Sequence, residues 1–296
     1  MSKAYQETIK HVSNQILITT IKKQDWKKAY EIAYNDAAYI TIPDPNGFYP
    51  LHLSVKAGAS IEFIILLVNG YQDSVRLRDP DDNLPIHLIS YHNKDKLWIN
   101  ISEVASVLYA IDNNTLKMKD RIGNLPIHIA LRNKAPDDLI LFYIMKYHDS
   151  AKIPDAIYSN LPIHLALQFG SDYKVVLSLL NIYPSSLYIT NKNGSLPMHK
   201  AIQFDASMDI LKLFIETDSS ICSVKDNNGN LALHLLCLFC AGPPTEERLR
   251  YVMITYNLSI CSMYVCTYGW MVIDRWNDRS VSMLYMFIDT LTTASL

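Results

Sequence analysis

The chain has 296 residues, of which 49% are hydrophobic and 19% are charged. This composition excludes a mainly disordered chain, because disordered segments are poor in apolar residues and rich in charge. The net charge of −2 argues against a dedicated nucleic-acid-binding protein, which needs a basic surface, and the nine glycines form no phosphate-binding motif such as GxGxxG.

The first 43 residues lack the motif that dominates the rest of the chain. Two helices are predicted here, over residues 4–21 and 25–35, and they would cap the N-terminal end of the structure. The first 20 residues contain no apolar core of the signal-peptide type. All five cysteines follow residue 220, and this odd count does not suit a secreted disulfide framework. We therefore expect a cytoplasmic protein with reduced thiols.

From residue 44 onward, a motif close to Leu-Pro-x-His recurs six times, at histidine spacings of 35, 41, 36, 35 and 35 residues. The histidines are His52, His87, His128, His164, His199 and His234. The prolines two residues before them are Pro50, Pro85, Pro126, Pro162 and Pro197. A fixed period of this kind indicates a repeat protein, whose repeats must stack to bury their apolar faces.

A turn signal precedes each motif, and apolar helical runs follow it. Aspartate or asparagine lies eight residues before the histidine in five repeats, with Ala156 at that place in the fourth. Glycine supplies the positive φ of a tight turn, and proline suits the first turn of the helix that follows. The residues five positions before the histidines are Gly47, Gly123, Gly194 and Gly229, with Asp82 and Ser159 in the other two repeats. Each repeat is predicted to contain a turn, a short helix, a connection and a second helix.

These features resemble the ankyrin repeat family. Residues 226–234, DNNGNLALH, follow the family pattern D-x-x-G-x-T-P-L-H, and the resemblance covers about residues 44–273. It implies an all-α fold, an ankyrin-type helical solenoid with short turn fingers. Leucine replaces the family's threonine before proline in four repeats, which removes a helix-capping hydroxyl. We expect the asparagine or serine just before that leucine to cap the helix, while the leucine packs inward.

We expect a single solenoid over residues 1–296, with an N-terminal helical cap (1–43), about six repeats (44–265) and a degenerate C-terminal capping repeat (266–296). Residues 269–274 align with the motif but lack its proline and histidine. Residues 251–273 carry no charged side chain and are long enough to span a membrane. Because polar side chains and Gly269 interrupt this segment, we expect no membrane insertion.

The histidines could suggest metal binding or catalysis. One histidine per repeat places the rings too far apart to share a zinc ion, whose nitrogen ligands lie at about 2 Å. The resemblance implies that they are structural and form hydrogen bonds to the backbone of their own repeat and of the next one. The chain contains no GxSxG or HExxH motif. We expect no catalytic residue and no cofactor.

Four cysteines have a spacing that could serve a metal. Cys237 and Cys240 form a C-x2-C pair, and Cys261 and Cys266 form a C-x4-C pair. A zinc site or a redox pair is therefore the alternative to small buried hydrophobic residues. Cys222 lies in SSICS and Cys261 in LSICS, and such near-copies are typical of repeats. We favour buried thiols.

The remaining functional signal concerns the surface. The resemblance implies that partners contact the turn tips and the end of each first helix, four and five residues after the histidine. Phenylalanine occupies the fifth position in three consecutive repeats, and aromatic side chains are common at interface centres. Packing of these rings into the core is the alternative. The predicted partner-binding residues are Tyr91, His92, Arg132, Gln168, Phe169, Gln203, Phe204 and Phe239.

Together these observations predict a non-catalytic scaffold or adaptor that binds another protein on the concave face of the solenoid. A regulatory or inhibitory module that binds and controls a separate enzyme is the alternative. Stacked repeats present an extended rigid surface, and such preorganisation lowers the ordering cost of binding. We expect a monomer that binds neither nucleic acid nor membranes.

Overall fold

The computed structural model describes residues 3–91 and 101–239, with side chains from residue 12 onward except at positions 13, 233 and 237–239. Within these ranges the chain is helical and has no strand. The α-helices are α1 Lys3–Lys22, α2 Trp26–Asn35, α3 Pro50–Ala57, α4 Ile61–Gly70, α5 Pro85–Ser90, α6 Ile101–Ile111, α7 Pro126–Arg132, α8 Asp137–Lys146, α9 Pro162–Phe169, α10 Tyr173–Ile182, α11 Pro197–Gln203, α12 Met208–Thr217 and α13 Ala232–Phe239. Short 3-10 helices follow the second helices, at Gln72–Arg76, Asn113–Lys117, His148–Lys152, Pro184–Tyr188 and Ser219–Ser223.

The chain divides into two compact units, residues 1–186 and residues 187–296. In the first unit, the first helices α3, α5, α7 and α9 pack side by side, and the second helices α4, α6, α8 and α10 form a parallel row behind them. In the described part of the second unit, α11 packs against both α12 and α13. Each short helix after a turn thus belongs to a layer of equivalent helices, as stacked repeats require.

Helices α1 and α2 lie close to their predicted positions, and they cover the first repeat. Helix α1 packs against α3, and α2 packs against α4. The side chain of Asp25 caps α2 by accepting a hydrogen bond from the Lys28 N–H at 3.2 Å. The buried amide of Asn14 donates to the carbonyls of Tyr39 and Ile42 at 2.7 and 2.8 Å, which ties α1 to the segment before the first motif.

The turns before the first helices have the predicted construction. In the second repeat, an Asp79 carboxylate oxygen accepts from the N–H groups of Asp81 and Asn83 at 3.0 and 2.8 Å. The residues in the glycine position all have positive φ, between +53° and +99°: Gly47, Asp82, Gly123, Ser159, Gly194 and Gly229. Glycine therefore occupies a position where the backbone must adopt a positive φ, and Asp82 and Ser159 adopt the same left-handed conformation in its place.

The turn of the fourth repeat differs from the sequence alignment. Its carboxylate comes from Asp155, not from the aligned Ala156, and it accepts from the Asn160 N–H at 3.1 Å. Asp155 and Asn160 are five residues apart, whereas the equivalent pair in the other repeats is four apart. One additional residue in this turn explains why simple alignment misses the aspartate.

The leucines before the first helices pack inward as predicted, but the helices are not capped by their neighbours. The leucines are at most 3% exposed: Leu84, Leu125, Leu161 and Leu196. The expected capping by the preceding asparagine is wrong, because the Asn124 amide donates to the turn carboxylate of Asp120 at 3.3 Å. The same bond links Asn160 to Asp155 at 3.2 Å. The helices that follow Leu84, Leu125 and Leu161 instead begin with the histidine N–H donating to the leucine carbonyl, at 2.9 Å in the second repeat.

The glycine position also sets the distance between neighbouring turns in the second unit. A Cβ at Gly194 would lie 2.7 Å from the Asn227 backbone nitrogen, whereas a Cβ at Gly229 has no described atom within 4 Å. Both substitutions to alanine strain a positive φ, at about 1 kcal/mol, and against the described atoms only Gly194→Ala adds a steric overlap of about 1–3 kcal/mol. Urea unfolding is expected to show losses of about 3 kcal/mol for Gly194→Ala and about 1 kcal/mol for Gly229→Ala. Equal losses would show that the turns do not pack as described.

Candidate functional site

The repeated histidines use their ring nitrogens to hold the backbone. In the second to sixth repeats, Nδ1 accepts from the N–H of the leucine three residues earlier at 3.0–3.2 Å. In four repeats, Nε2 carries the proton and donates at 2.9–3.1 Å to a carbonyl in the segment just before the next turn. These pairs are His52 with Leu77, His87 with Met118, His128 with Ile153, and His199 with Val224. The geometry matches the structural role that the resemblance implies.

Burial keeps these rings neutral. Loss of solvation lowers the pKa of His87 and of His128 to about 4, and the nearby carboxylates of Asp120 and Asp155 offset this only in part. Burial also lowers the pKa of the other repeat histidines with a resolved shift: His52, His199 and His234. With both ring nitrogens bonded, His87, His128 and His199 have no lone pair left for a metal or for proton transfer.

Several turn carboxylates pair with basic side chains across repeats. Arg132, one of the predicted partner-binding residues, donates to the fully buried Asp155 carboxylate at 2.8 Å. Burial alone would raise the pKa of Asp155, but hydrogen bonds from backbone N–H groups and from Arg132 outweigh it, so the pKa is lowered. Asp44 pairs in the same way with Lys22 at 2.8 Å. Arg132 is therefore a structural ion-pair partner at the end of α7.

The other predicted partner-binding residues lie at the ends of first helices, with different exposures. Tyr91 follows α5 and is 46% exposed, and Gln168 and Phe169 at the end of α9 are half-buried. In the second unit, Gln203 and Phe204 at the end of α11 are both exposed, Phe204 by 40%. His92 and the side chain of Phe239 lie outside the described residues. Since α5, α7 and α9 are neighbours, the ends of these helices follow one another in the first unit.

Lys200 on α11 lies next to Gln203 and Phe204, and sequence reasoning missed it. It is only 8% exposed, although it lies one residue after His199. At that position the other repeats have apolar side chains: Leu53, Leu88, Ile129, Leu165 and Leu235. Its Nζ lies 5.2 Å from the centroid of the Phe204 ring and 3.5 Å from the Gln203 Oε1. A lysine in an otherwise apolar column was the signal available in the sequence.

The cysteine alternative falls largely outside the described residues. Cys222 is buried. The side chain of Cys237 and all of Cys240, Cys261 and Cys266 lie outside the described part of the chain. Within residues 3–91 and 101–239, no three His, Cys, Asp or Glu side chains are close enough to hold a metal ion. No helix in these ranges has the length and apolar content needed to cross a membrane.

Comparison with known proteins identifies the architecture. No protein-family model matches the sequence, and no curated protein matches it. Among solved structures, the ankyrin repeat domain of Bcl-3, a member of the IkappaB family, is 16% identical with a TM-score of 0.55, covering 74% of this chain and 92% of that one.

A second similar structure is a chain from the complex of the predatory endopeptidase Bd0816 of Bdellovibrio bacteriovorus with the immunity protein Bd3460. It is 15% identical with a TM-score of 0.52, covering 66% of this chain and 91% of that one. At these identities the similarity concerns the fold. The buried histidines, the left-handed turns and the two rows of helices agree with it, so the chain has the fold of an ankyrin repeat domain.

Proposed function

We propose that the chain is a non-catalytic scaffold or adaptor that binds another protein through the ends of its first helices, on the concave face expected of such a solenoid. The observation that carries this proposal is that the recurring polar side chains of the repeats are used within the fold, whereas side chains at the ends of the first helices are exposed to solvent. The histidines and turn carboxylates are used in hydrogen bonds within the fold, whereas Tyr91, Gln203 and Phe204 are exposed.

The physical argument rests on preorganisation. Each first helix follows a turn and packs against neighbouring helices, and His87, His128 and His199 each bond two backbone groups. Side chains at the ends of these helices therefore lose little conformational entropy on binding. A partly exposed aromatic ring such as Phe204 is the kind of side chain that dominates interface energetics. We propose that the protein acts as a monomer in the cytoplasm.

A second candidate is a module that binds and controls a separate enzyme. One structural neighbour comes from a complex of an endopeptidase with an immunity protein, which is the observation that favours this candidate. The two candidates share the same binding face and differ in the consequence for the partner. A change in the activity of a bound enzyme would support the second, whereas binding without such a change would support the first.

The phenylalanine positions give the test of the proposed face. Replacing Phe169, Phe204 and Phe239 together with alanine is expected to abolish capture of the partner in affinity purification with quantitative mass spectrometry. If these rings contact the partner instead of filling the core, they contribute mainly to binding, so Tm should change little. The matched control is alanine at Tyr34 on α2 and at Met145 on the second helix α8, which are 71% and 65% exposed. A large fall in Tm for the triple variant would make the rings part of the core, and loss of capture in the control would place the binding face elsewhere.

A further inference from the structure

Lys200 is a buried cation that pairs with no carboxylate among the described residues. The partly or wholly buried carboxylates Asp44, Asp112 and Asp155 each pair with a basic side chain at 2.8 Å. Burial lowers the pKa of Lys200, and no carboxylate among the described residues counteracts this effect. Among the described residues, its amine contacts the Gln203 Oε1 at 3.5 Å, a long hydrogen bond, and the face of the Phe204 ring.

Stacking of the repeats does not require a charged side chain at the position of Lys200. Five other repeats place leucine or isoleucine there, and the equivalent residues Leu88, Ile129, Leu165 and Leu235 are buried. Burying an ammonium group without a counter-charge is unfavourable, and a cation–π contact replaces only part of the lost hydration. An under-satisfied buried polar group next to exposed residues is a feature that calls for a functional explanation.

We propose that Lys200, Gln203 and Phe204 form a subsite that binds an aspartate or glutamate side chain of the partner protein, with an adjacent apolar side chain on the Phe204 ring. This deepens the proposed function and rests on it. The lysine amine would donate to the carboxylate, and the Gln203 amide supplies a second donor. Since the subsite is already partly desolvated, the charge-assisted hydrogen bonds are stronger there than on an open surface.

Charge complementarity selects this occupant over others. A basic segment would bring like charge onto Lys200, and a purely apolar one would remove the remaining hydration of the amine without compensation. A carboxylate satisfies the amine, and the exposed ring of Phe204 offers apolar area directly beside it. The subsite therefore fits an acidic residue flanked by an aromatic or aliphatic one.

The variant Lys200→Met separates binding from folding. Methionine has a similar length and is apolar like the residues at this position in the other repeats, so the variant should fold and its Tm should rise by about 2–4 °C. Lys200→Arg retains the charge as the conservative variant. Lys212→Met, on the second helix α12 of the same repeat, is the matched control for loss of one positive charge.

The probe is a phage-displayed library of random linear peptides, selected in parallel on the 296-residue wild-type chain and on the three variants. Wild type, Lys200→Arg and Lys212→Met are expected to enrich peptides with an aspartate or glutamate next to an apolar residue. Lys200→Met should lose this preference and bind the wild-type peptides at least about tenfold more weakly. In the complex, the NMR signal of the 13C-methylated Lys200 amine should report a raised pKa, because a facing carboxylate favours the charged form.

The outcomes distinguish this inference from the proposed function. Selected peptides without an acidic preference, or an acidic preference that survives in Lys200→Met, would overturn the subsite and leave the binding face intact. A further fall in the pKa of Lys200 on peptide binding would do the same, since it would mean apolar coverage. If the wild-type chain selects no peptide at all, both proposals are contradicted.

Discussion

His128→Ala is expected to lower the free energy of unfolding by about 4 kcal/mol, because two buried backbone groups lose their partner at once. These groups are the Leu125 N–H, 3.0 Å from Nδ1, and the Ile153 carbonyl, 2.9 Å from Nε2. The variant also leaves a cavity where a fully buried ring linked α7 to the segment before the next turn. Urea unfolding followed by circular dichroism measures the loss.

Two further alanine variants test the cause of this effect. His52 bonds the Leu77 carbonyl at 3.0 Å, but its Nδ1 has no hydrogen-bond partner in the described structure, so His52→Ala should cost only about 2 kcal/mol. His148 is exposed and should be neutral to within about 0.5 kcal/mol. If His52→Ala and His128→Ala destabilise the protein equally, the two-bond account is incorrect.

Stability is expected to fall steeply between pH 6.5 and pH 4. His87 and His128 have folded-state pKa values of about 4, below the ordinary value of 6.5, so the unfolded chain binds protons in this range and the folded chain does not. Their contribution is complete above pH 6.5 and is lost as the pH falls toward 4. At about 1.4 kcal/mol per pKa unit, each ring should account for a loss of roughly 2 kcal/mol at pH 5.

A variant assigns this pH dependence to the histidines. His128→Gln removes one titrating group, so the slope of unfolding free energy against pH should decrease by one proton between pH 6.5 and pH 4. The paired carboxyls Asp44, Asp112 and Asp155 have lowered pKa values, and their contribution is lost only below about pH 4. An unchanged slope in His128→Gln would show that this buried ring does not govern the acid sensitivity.

The sequence predicted those parts of the fold that depend on local chemistry at a fixed spacing. The turn at Asp79 and Asp82 follows from side-chain bonding and a left-handed backbone, and these need only a few neighbouring residues. The turn role of Asp155 was not predicted, because one additional residue in its turn breaks the regular distance to the histidine. The hydrogen bond from Asn124 to Asp120 was not predicted, because asparagine is a residue type that can either cap a helix or stabilise a turn.

The candidate site was harder to predict from the sequence, because the solvent exposure of a side chain and its ion-pair partner depend on neighbouring repeats. Arg132 is at a predicted contact position, yet its charge is used by Asp155, which only the three-dimensional arrangement shows. Phe169 and Phe204 have equivalent sequence positions but different exposures, half-buried and exposed. Lys200 was visible as a departure from an apolar column, but its burial and its contact with Phe204 were not.

Site-specific photo-crosslinking tests the central claim most directly. In one variant, a photoreactive phenylalanine analogue replaces Phe204, at the end of a first helix. In a separate variant of the same chain, it replaces Met145, on the second helix α8. Both side chains are exposed, by 40% and 65%. The account predicts crosslinks from position 204 to one specific protein and none to that protein from position 145. Crosslinks to it from position 145 alone, or none from position 204, would contradict binding through the first-helix ends.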